Sequence, residues 1–219
     1  MMRTQYGEQL AEMNSLVLKM GAYVENAIEM AVKALVGQDK ELAQKTIQYD
    51  NEIDKLEKEI EHICLGLILH QQPISGDLRR VSAILKMITD IERIGDHAED
   101  ISEITLLLAD STYITRLEHI PQMAEAAKEM VKNSLDAFVK KDAALARAVI
   151  AADDKVDQLL LEVKDDLLAL IDENIENGRQ AMELQMVAKY FERIGDHAVN
   201  IAEWVIFSIT GEHKNIRIL

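Results

Sequence analysis

One stretch that occurs twice decides the fold of this chain: ERIGDHAEDI at residues 92–101 returns as ERIGDHAVNI at residues 192–201. Its first seven residues, the heptapeptide ERIGDHA, recur unchanged after 100 positions, although the sequence around them has diverged. Upstream, VGQDKELAQKTIQYDNEID (36–54) aligns with VKKDAALARAVIAADDKVD (139–157) at an offset of 103. The first half therefore carries three extra positions near HQQPISGDLRR, and insertions belong in loops. The pattern indicates a tandem duplication with a repeat of roughly 100 residues.

Each half has the pattern of three long helices. Asp39 and Asp142 are candidate N-caps, Gly37 is a candidate stop, and Pro73 interrupts the loop QQPISGD. The predicted helices span about 3–36, 39–70, 78–108, 118–140, 142–176 and 179–210. No stretch alternates polar and apolar residues as a strand would. We therefore predict an all-α fold of two tandem antiparallel three-helix bundles related by internal duplication, with domains at 1–110 and 111–219.

Composition narrows the class of function. The 219 residues are 48% hydrophobic and only 4% aromatic, and the net charge of −15 disfavours nucleic acid and anionic lipid surfaces. The one cysteine, Cys64, lies in the apolar stretch ICLGLIL, which predicts a core position and excludes a thiolate metal cluster. No signal peptide or membrane span is evident, and the cysteine usage fits a reducing cytoplasm.

The acids in and directly after the heptapeptide lie on an inward-facing stripe of the helix. At about 100° per residue, Asp96 and Glu99 fall within about 40° of Glu92, on the same side as apolar residues one to three turns earlier. The second copy repeats this arrangement with Glu192 and Asp196. An ionised carboxylate on an inward face needs a cation, either a basic side chain or a metal. The glycine inside each copy costs about 1 kcal/mol of helix propensity, which is tolerable where something must approach closely.

The second helix of each half supplies a matching pair of acids. Asp50 and Asp54 are four residues apart, as are Asp153 and Asp157, so each pair shares one side of its helix. Antiparallel packing would bring four carboxylates together in each half. Oxygen-only ligands suit Mg, Ca, Mn or Fe; zinc is a weaker match because no His or Cys ligand is obvious.

Other interpretations of these residues stay open. Arg93 and Arg193 would neutralise the acids if they form only a salt-bridge network. His97 and His197 fall about 140° from their glutamates, which favours a supporting or surface role over ligation. Glu59 and His62 form one E-x-x-H spacing, whereas di-iron carboxylate bundles use two. The GDLRR loop offers arginines near a helix start for an anion, although a plain helix cap is the simpler interpretation.

These motifs together resemble the PhoU phosphate-uptake regulators of bacteria and archaea. The resemblance rests on the tandem three-helix halves, QQPISGDLRR and the repeated ERIGDHA-x-[DN]-I, and covers about residues 8–210. It implies a cytoplasmic, non-enzymatic negative regulator of phosphate uptake and phosphate-responsive signalling. Such a protein is an adaptor between the ATPase subunit of the phosphate ABC transporter and the phosphate-sensing histidine kinase, and often a homodimer. It would not insert into the membrane.

The resemblance also implies metal binding, with iron favoured and Mn, Mg or Zn as alternatives. The implied ligand positions are the four acids of each half and the residue that extends each copy of the motif. They are Asp50, Asp54, Glu92, Asp96 and Asp100 in the first half, and Asp153, Asp157, Glu192, Asp196 and Asn200 in the second. The second half departs from the loop motif, because ENGRQ stands where the first half has GDLRR. The rival expectation is an enzyme or store, namely a carboxylate-bundle iron oxidase or iron storage protein.

Overall fold

The computed structural model describes residues 2–71, 73, 75–115, 117–214 and 216–218. Within these ranges the chain forms six α-helices, one short 3-10 helix and two very short strands. The helices are α1 (Met2–Gly37), α2 (Lys40–Gln71), α3 (Ser75–Leu108), α4 (His119–Lys140), α5 (Ala143–Glu173) and α6 (Gly178–Thr210), with the 3-10 turn at Ile175–Asn177. The strands are β1 (Glu212–His213) and β2 (Ile216–Arg217).

The helices form two bundles that share one core. Helices α1, α2 and α3 pack against one another, as do α4, α5 and α6, and the halves join chiefly through α3 and α6. Fully buried side chains such as Met20, Ile53, Ile88 and Phe191 belong to a single apolar cluster that runs through both halves. The predicted all-α architecture of tandem three-helix bundles is thus confirmed.

The turn before the second helix of each half is built in the same way. Asp39 Oδ1 accepts hydrogen bonds from the backbone N–H groups of Glu41 and Leu42, both at 3.0 Å. Asp142 Oδ1 accepts the equivalent bonds from Ala144 and Leu145, at 2.9 and 3.0 Å. The duplication therefore preserves the predicted N-caps, which satisfy backbone donors that an α-helix leaves free.

Helix boundaries near the loops differ from the prediction. Helix α3 begins at Ser75, so Gly76 and Asp77 lie in its first turn and not in the loop. Helix α5 ends at Glu173, short of the predicted 176, because Asn174 adopts an extended backbone and its side chain caps the following 3-10 turn. Residues 72 and 74 of the predicted loop lie outside the described residues.

The sequence predicted no strands, and the structure adds one small hairpin. Strands β1 and β2 pair antiparallel, with Glu212 opposite Arg217 and His213 opposite Ile216. The His213 ring stacks on Trp204 of α6, with ring centroids 3.9 Å apart. Two-residue strands are too short to show a period in the sequence, which is why the pattern missed them. In the described part of the chain, no helix has the length and apolar character that a bilayer crossing requires.

Candidate metal centre

Three carboxylates from two neighbouring helices converge in the first half. Asp50 of α2 and Asp96 and Glu99 of α3 each offer one oxygen, and these oxygens lie within 4.8 Å of one another. Hard cations hold their oxygen ligands at about 2.0–2.6 Å, so oxygens that share one ion lie no more than about 5 Å apart. The three groups are therefore spaced to share a cation.

Gly95 is what lets Asp50 reach the face of α3. A Cβ built on Gly95 would lie 2.6 Å from Asp50 Oδ1 and 2.9 Å from Ile53 Cδ1, both closer than atoms of real side chains approach. The same relation holds in the second half, where a Cβ on Gly195 would lie 3.2 Å from Asp153 Oδ1. The glycine of the heptapeptide thus makes room for the carboxylate of the adjacent helix, which explains a residue that the helix itself disfavours.

The two inward carboxylates each hold one oxygen without a partner. Asp50 Oδ1 and Asp153 Oδ1 are buried, and neither has a hydrogen-bond partner among the described residues. These atoms occupy equivalent places in the duplication, since both sit against the glycine of the heptapeptide. A buried carboxylate oxygen is normally hydrogen-bonded, so an exception needs a reason, such as an ion that completes it. The donor set and the two orphaned oxygens fit a hard cation.

Basic side chains neutralise the outer acids of these sites. Arg93 lies 2.6 Å from Asp96 and 3.5 Å from Glu92, measured between nitrogen and oxygen. Lys58 Nζ donates to Asp54 at 3.1 Å, and Lys189 pairs with Glu192. A salt-bridge network therefore accounts for one oxygen of each of these outer acids, but it leaves Glu192 Oε2 and the inner oxygens of Asp50 and Asp153 without a partner among the described residues.

Burial and mutual repulsion disfavour the charged form of the inner acids. Burial, followed by the charges of Glu99, Asp96, Asp54 and Glu92, raises the pKa of Asp50 to about 7. Burial and the charges of the second-half acids raise the pKa of Asp153 to about 6. Burial is also the first cause that raises the pKa of Glu92, Glu99 and Asp196. Near neutral pH each inner acid thus gains strongly from a cation, because binding supplies the missing counter-charge.

The second half holds a weaker version of the site. Asp157, Asp196 and Glu192 are close enough to Asp153 to raise its pKa, so all four predicted acids share one neighbourhood. Among the described residues, however, only the first half brings three ligand oxygens within 4.8 Å. At the offset of 100, Val199 stands where the first half has Glu99, so the third ligand has no counterpart.

The residues that extend the motif lie toward the other half of the protein. Asp100 Oδ2 lies 3.3 Å from His97 Nδ1. Asn200 donates from its amide to Asp90 Oδ1 of α3 at 3.1 Å. The structure thus directs these two predicted ligands to the junction of α3 and α6, and their ligation stays a prediction.

The two histidines of the repeat meet at this junction. The rings of His97 and His197 lie 5.5 Å apart, and His197 Nδ1 is 2.8 Å from Asp90 Oδ1. Both side chains are mostly covered, at 13% and 20% exposed. Of the two expected roles, the surface role is excluded, because the face opposite the acid stripe packs against the other bundle; the supporting role stays a prediction.

Glu99 was missing from the predicted ligands although its helical phase placed it on the acid stripe. The predicted ligands are positions that carry an acid or amide in both halves, and the counterpart of Glu99 is Val199. Phase alone would have identified it, since it lies about 20° from Glu92 on the helix. Glu59 and His62, the single E-x-x-H spacing, are both exposed on α2 and form no buried iron site.

We expect the metal-free protein to lose stability as the pH rises from 5 to 8. The folded-state pKa of Asp50, about 7, lies above its ordinary 3.8, so the neutral form favours folding and this contribution disappears as the pH passes 7. After allowance for solvent screening of a half-buried carboxyl, the loss is roughly 1.5 kcal/mol, or about 3–6 °C in Tm. Thermal melts with EDTA should show this slope, and Asp50→Asn should reduce it, while the remaining slope comes from Asp153 and the other acids with raised pKa values. Parallel slopes for the two proteins would contradict the assignment.

Comparison with known proteins agrees with this architecture. The model of the PhoU domain matches twice, at residues 17–105 and 120–205. A phosphate-specific transport system accessory protein PhoU homolog of Aquifex aeolicus is 40% identical over 96% of each chain. Its counterpart in Clostridium acetobutylicum is 36% identical over 99% of each chain. The division of the chain at residue 110 stays a prediction.

Two crystal structures are similar over nearly their whole length. The structure of PhoU from Pseudomonas aeruginosa superposes with a TM-score of 0.91 at 32% identity, and it covers 94% of this chain and all of its own. The phosphate transport system regulatory protein PhoU from Streptococcus pneumoniae gives a TM-score of 0.86 at 27% identity, over 95% and 98% of the two chains. With both halves matched by the domain model and close relatives along its length, the chain belongs to the PhoU family.

Proposed function

We propose that this protein is a metal-binding accessory regulator of a phosphate-specific transport system. The relatives at 40% and 36% identity carry that accessory role in their names, and they cover nearly all of the chain. The observation that supports metal binding is the pair of buried, unpartnered oxygens on Asp50 and Asp153, each beside a glycine of the repeat. The names of the relatives and these two oxygens together support a helical scaffold that binds metal ions and does not catalyse a reaction.

The metal has a structural role in this proposal. Asp50, Asp96 and Glu99 hold one ion in the first half, with Glu92 and Asp54 beside them. A weaker site forms around Asp153, Asp157, Glu192 and Asp196. A di- or trivalent cation neutralises the clustered carboxylates and ties α2 to α3, and α5 to α6. Iron is the favoured ion, and Mn, Mg or Zn are the alternatives.

The protein acts as an adaptor in the cytoplasm, as its family membership supports. Its partners are the ATPase subunit of the phosphate ABC transporter and the phosphate-sensing histidine kinase, and it restrains both uptake and phosphate-responsive transcription. Homodimerisation is part of the same proposal. The net charge of −15 favours docking on basic protein surfaces over binding to nucleic acid.

The rival function, an iron oxidase or iron store, is not favoured. Such a protein places two E-x-x-H motifs in the interior of its bundle. Here Glu59 and His62 are exposed, and the converging acids of the first half come from two helices only. The family names point to transport regulation and not to an enzyme.

Deletion of the gene in its host should raise phosphate-responsive transcription under phosphate-replete conditions. A reporter fused to a phosphate-responsive promoter measures the effect. Wild-type protein and Asp165→Ala, a change at an exposed acid of α5 outside both sites, should restore repression. The double variant Asp50→Ala with Asp153→Ala should restore it poorly at equal protein level. An unchanged reporter in the deletion strain would contradict the regulatory role; full repression by the double variant would contradict the need for metal.

A further inference from the structure

The linker that joins the two halves is clamped by a pair of glutamines. Gln180 of α6 accepts from the Ile114 N–H at 2.6 Å and donates to the Thr112 carbonyl at 3.1 Å. Gln38, at the end of α1, donates to the Ser111 carbonyl at 2.6 Å. The Ser111 hydroxyl oxygen also accepts from Gln180, at 3.1 Å. Two neutral amides, one from each half, therefore hold one non-helical segment at the junction of the two bundles.

The duplication places an open pocket at the equivalent position, between the start of α3 and the ends of α4 and α6. Arg80 occupies the position of Gln180 at the offset of 100, and Lys141 occupies that of Gln38 at the offset of 103. Gln38 and Lys141 even share a left-handed backbone, with φ of 50° and 52°. Both basic residues line a cavity of about 300 Å³, together with Asp77, Phe138 and Ser208. We call this cavity the Arg80 pocket.

The chain does not fill the Arg80 pocket as it fills the equivalent position. The counterpart of Ser111 at the offset of 100 is Gly211, where φ is 82° and the backbone turns sharply. The following hairpin folds back so that His213 stacks on Trp204, and Ile218 donates to the Gly211 carbonyl at 2.9 Å. Within the described ranges, the segment after α6 therefore leaves the Arg80 pocket open.

Arg80, one of the two cations of the Arg80 pocket, is held in place before any acidic group binds. The Arg80 guanidinium lies 5.5 Å from the ring centre of Phe138 and donates to Asn14 Oδ1 at 3.0 Å, so its orientation is set before binding. The lining contains two basic residues, Arg80 and Lys141, and one acidic residue, Asp77. A net positive pocket on a chain of net charge −15 selects an occupant by charge.

We propose that the Arg80 pocket docks an acidic, non-helical segment of a partner protein, in the manner in which Gln38 and Gln180 hold the linker. The shape of the occupant follows from the linker, which is an irregular segment held mainly at its backbone. Its charge follows from the exchange of two glutamines for arginine and lysine. An acidic side chain at the place of Ser111 would meet Arg80, since the Ser111 hydroxyl accepts from Gln180, and Lys141 lines the same cavity; charge-assisted hydrogen bonds of this kind are strong. This proposal is independent of the metal sites.

Two labelled peptides test the proposal by fluorescence anisotropy on the full-length protein. One has the sequence of residues 109–115, ADSTYIT, and the other carries Ser111→Glu. We expect the glutamate peptide to bind about tenfold more tightly, since one charge-assisted contact is worth roughly that factor. The double variant Arg80→Gln with Lys141→Gln recreates the pair of the second half, and it should abolish this preference. Equal binding of both peptides to the wild-type protein would overturn the proposal.

Matched variants separate docking from misfolding and from simple anion binding. Lys141→Gln alone changes an exposed residue and should weaken the glutamate peptide about threefold to tenfold, whereas Lys140→Gln, its exposed neighbour outside the pocket, should not. Inorganic phosphate and acetate at 10 mM, compared with chloride at equal ionic strength, are the competitors. Unchanged peptide binding supports a peptide site, and full displacement by either anion would overturn it in favour of a free-anion site. Repression in the reporter strain is not a readout here, so the two proposals fail separately.

Discussion

Replacing Gly95 by alanine is expected to weaken metal binding in the first half while the protein stays folded. The new methyl group would lie 2.6 Å from Asp50 Oδ1, so the carboxylate must shift from its place beside Asp96 and Glu99. Loss of the groups that orient a ligand lowers metal affinity by about 10–100-fold, and we expect an effect of that size. Overpacking costs about 1–3 kcal/mol, and the better helix propensity of alanine returns about 1 kcal/mol, which leaves a net loss of roughly 1 kcal/mol.

Two other glycines provide controls for the Gly95→Ala prediction. A Cβ on Gly195 would lie 3.2 Å from Asp153 Oδ1, so Gly195→Ala should disturb its half less. Gly66 of α2 has open space around it, so Gly66→Ala should stabilise the protein by about 0.5–1 kcal/mol and leave the metal unaffected. Calorimetric titration with Mn²⁺ and thermal melts in EDTA measure both effects. Wild-type affinity in Gly95→Ala would show that Asp50 is not a ligand.

Single substitutions at Glu99 and at Val199 should change the metal affinities of the two proposed sites in opposite directions. Glu99→Val removes one of three converging oxygens and gives the first half the composition of the second, so its affinity should fall about 100-fold. Val199→Glu adds the missing acid beside Asp153 and Asp196 and should create a second tight site. The wild-type protein should therefore bind one Mn²⁺ tightly and Val199→Glu two, when equilibrium dialysis is followed by elemental analysis.

Asp100→Asn is the matched control for these two substitutions. It also makes the first half resemble the second at one position, since Asn200 is its counterpart, but the Asp100 carboxylate lies beside His97. We expect less than a threefold change in Mn²⁺ affinity, because the three converging oxygens remain. A loss as large as that of Glu99→Val would place Asp100 among the ligands. An unchanged stoichiometry in Val199→Glu would show that the second half cannot form a tight site.

The acid pairs of the two halves were largely predictable from the sequence, whereas the three acids whose oxygens converge were not. The repeat drew attention to Asp50, Asp96 and their counterparts because both halves keep them. Glu99 was passed over because Val199 breaks the symmetry. Asp100 and Asn200 were included for the same symmetry, although their side chains contact His97 and Asp90. Internal repetition reveals what two sites share, and ligand geometry depends also on what they do not share.

The role of the heptapeptide glycine needed the neighbouring helix. The sequence alone predicted that something approaches Gly95 closely, because a glycine there weakens the helix without another benefit. That this something is the carboxylate of Asp50 follows from the packing of α2 on α3. The same holds for His97 and His197, whose face was correctly placed opposite the acids but proved to be the junction of the bundles.

The amino-acid sequence by itself determined the six helices, their capped turns and the duplication. The helices and their turns depend on helical periodicity and on capping residues, which act over a few neighbouring residues. The duplication is visible in the repeated sequence itself. Only the tertiary structure decided which acids meet, and which of the two equivalent positions is filled by the linker while the other stays open. Those outcomes depend on distances between helices that are far apart in the chain, and one methyl group at Gly95 would alter them.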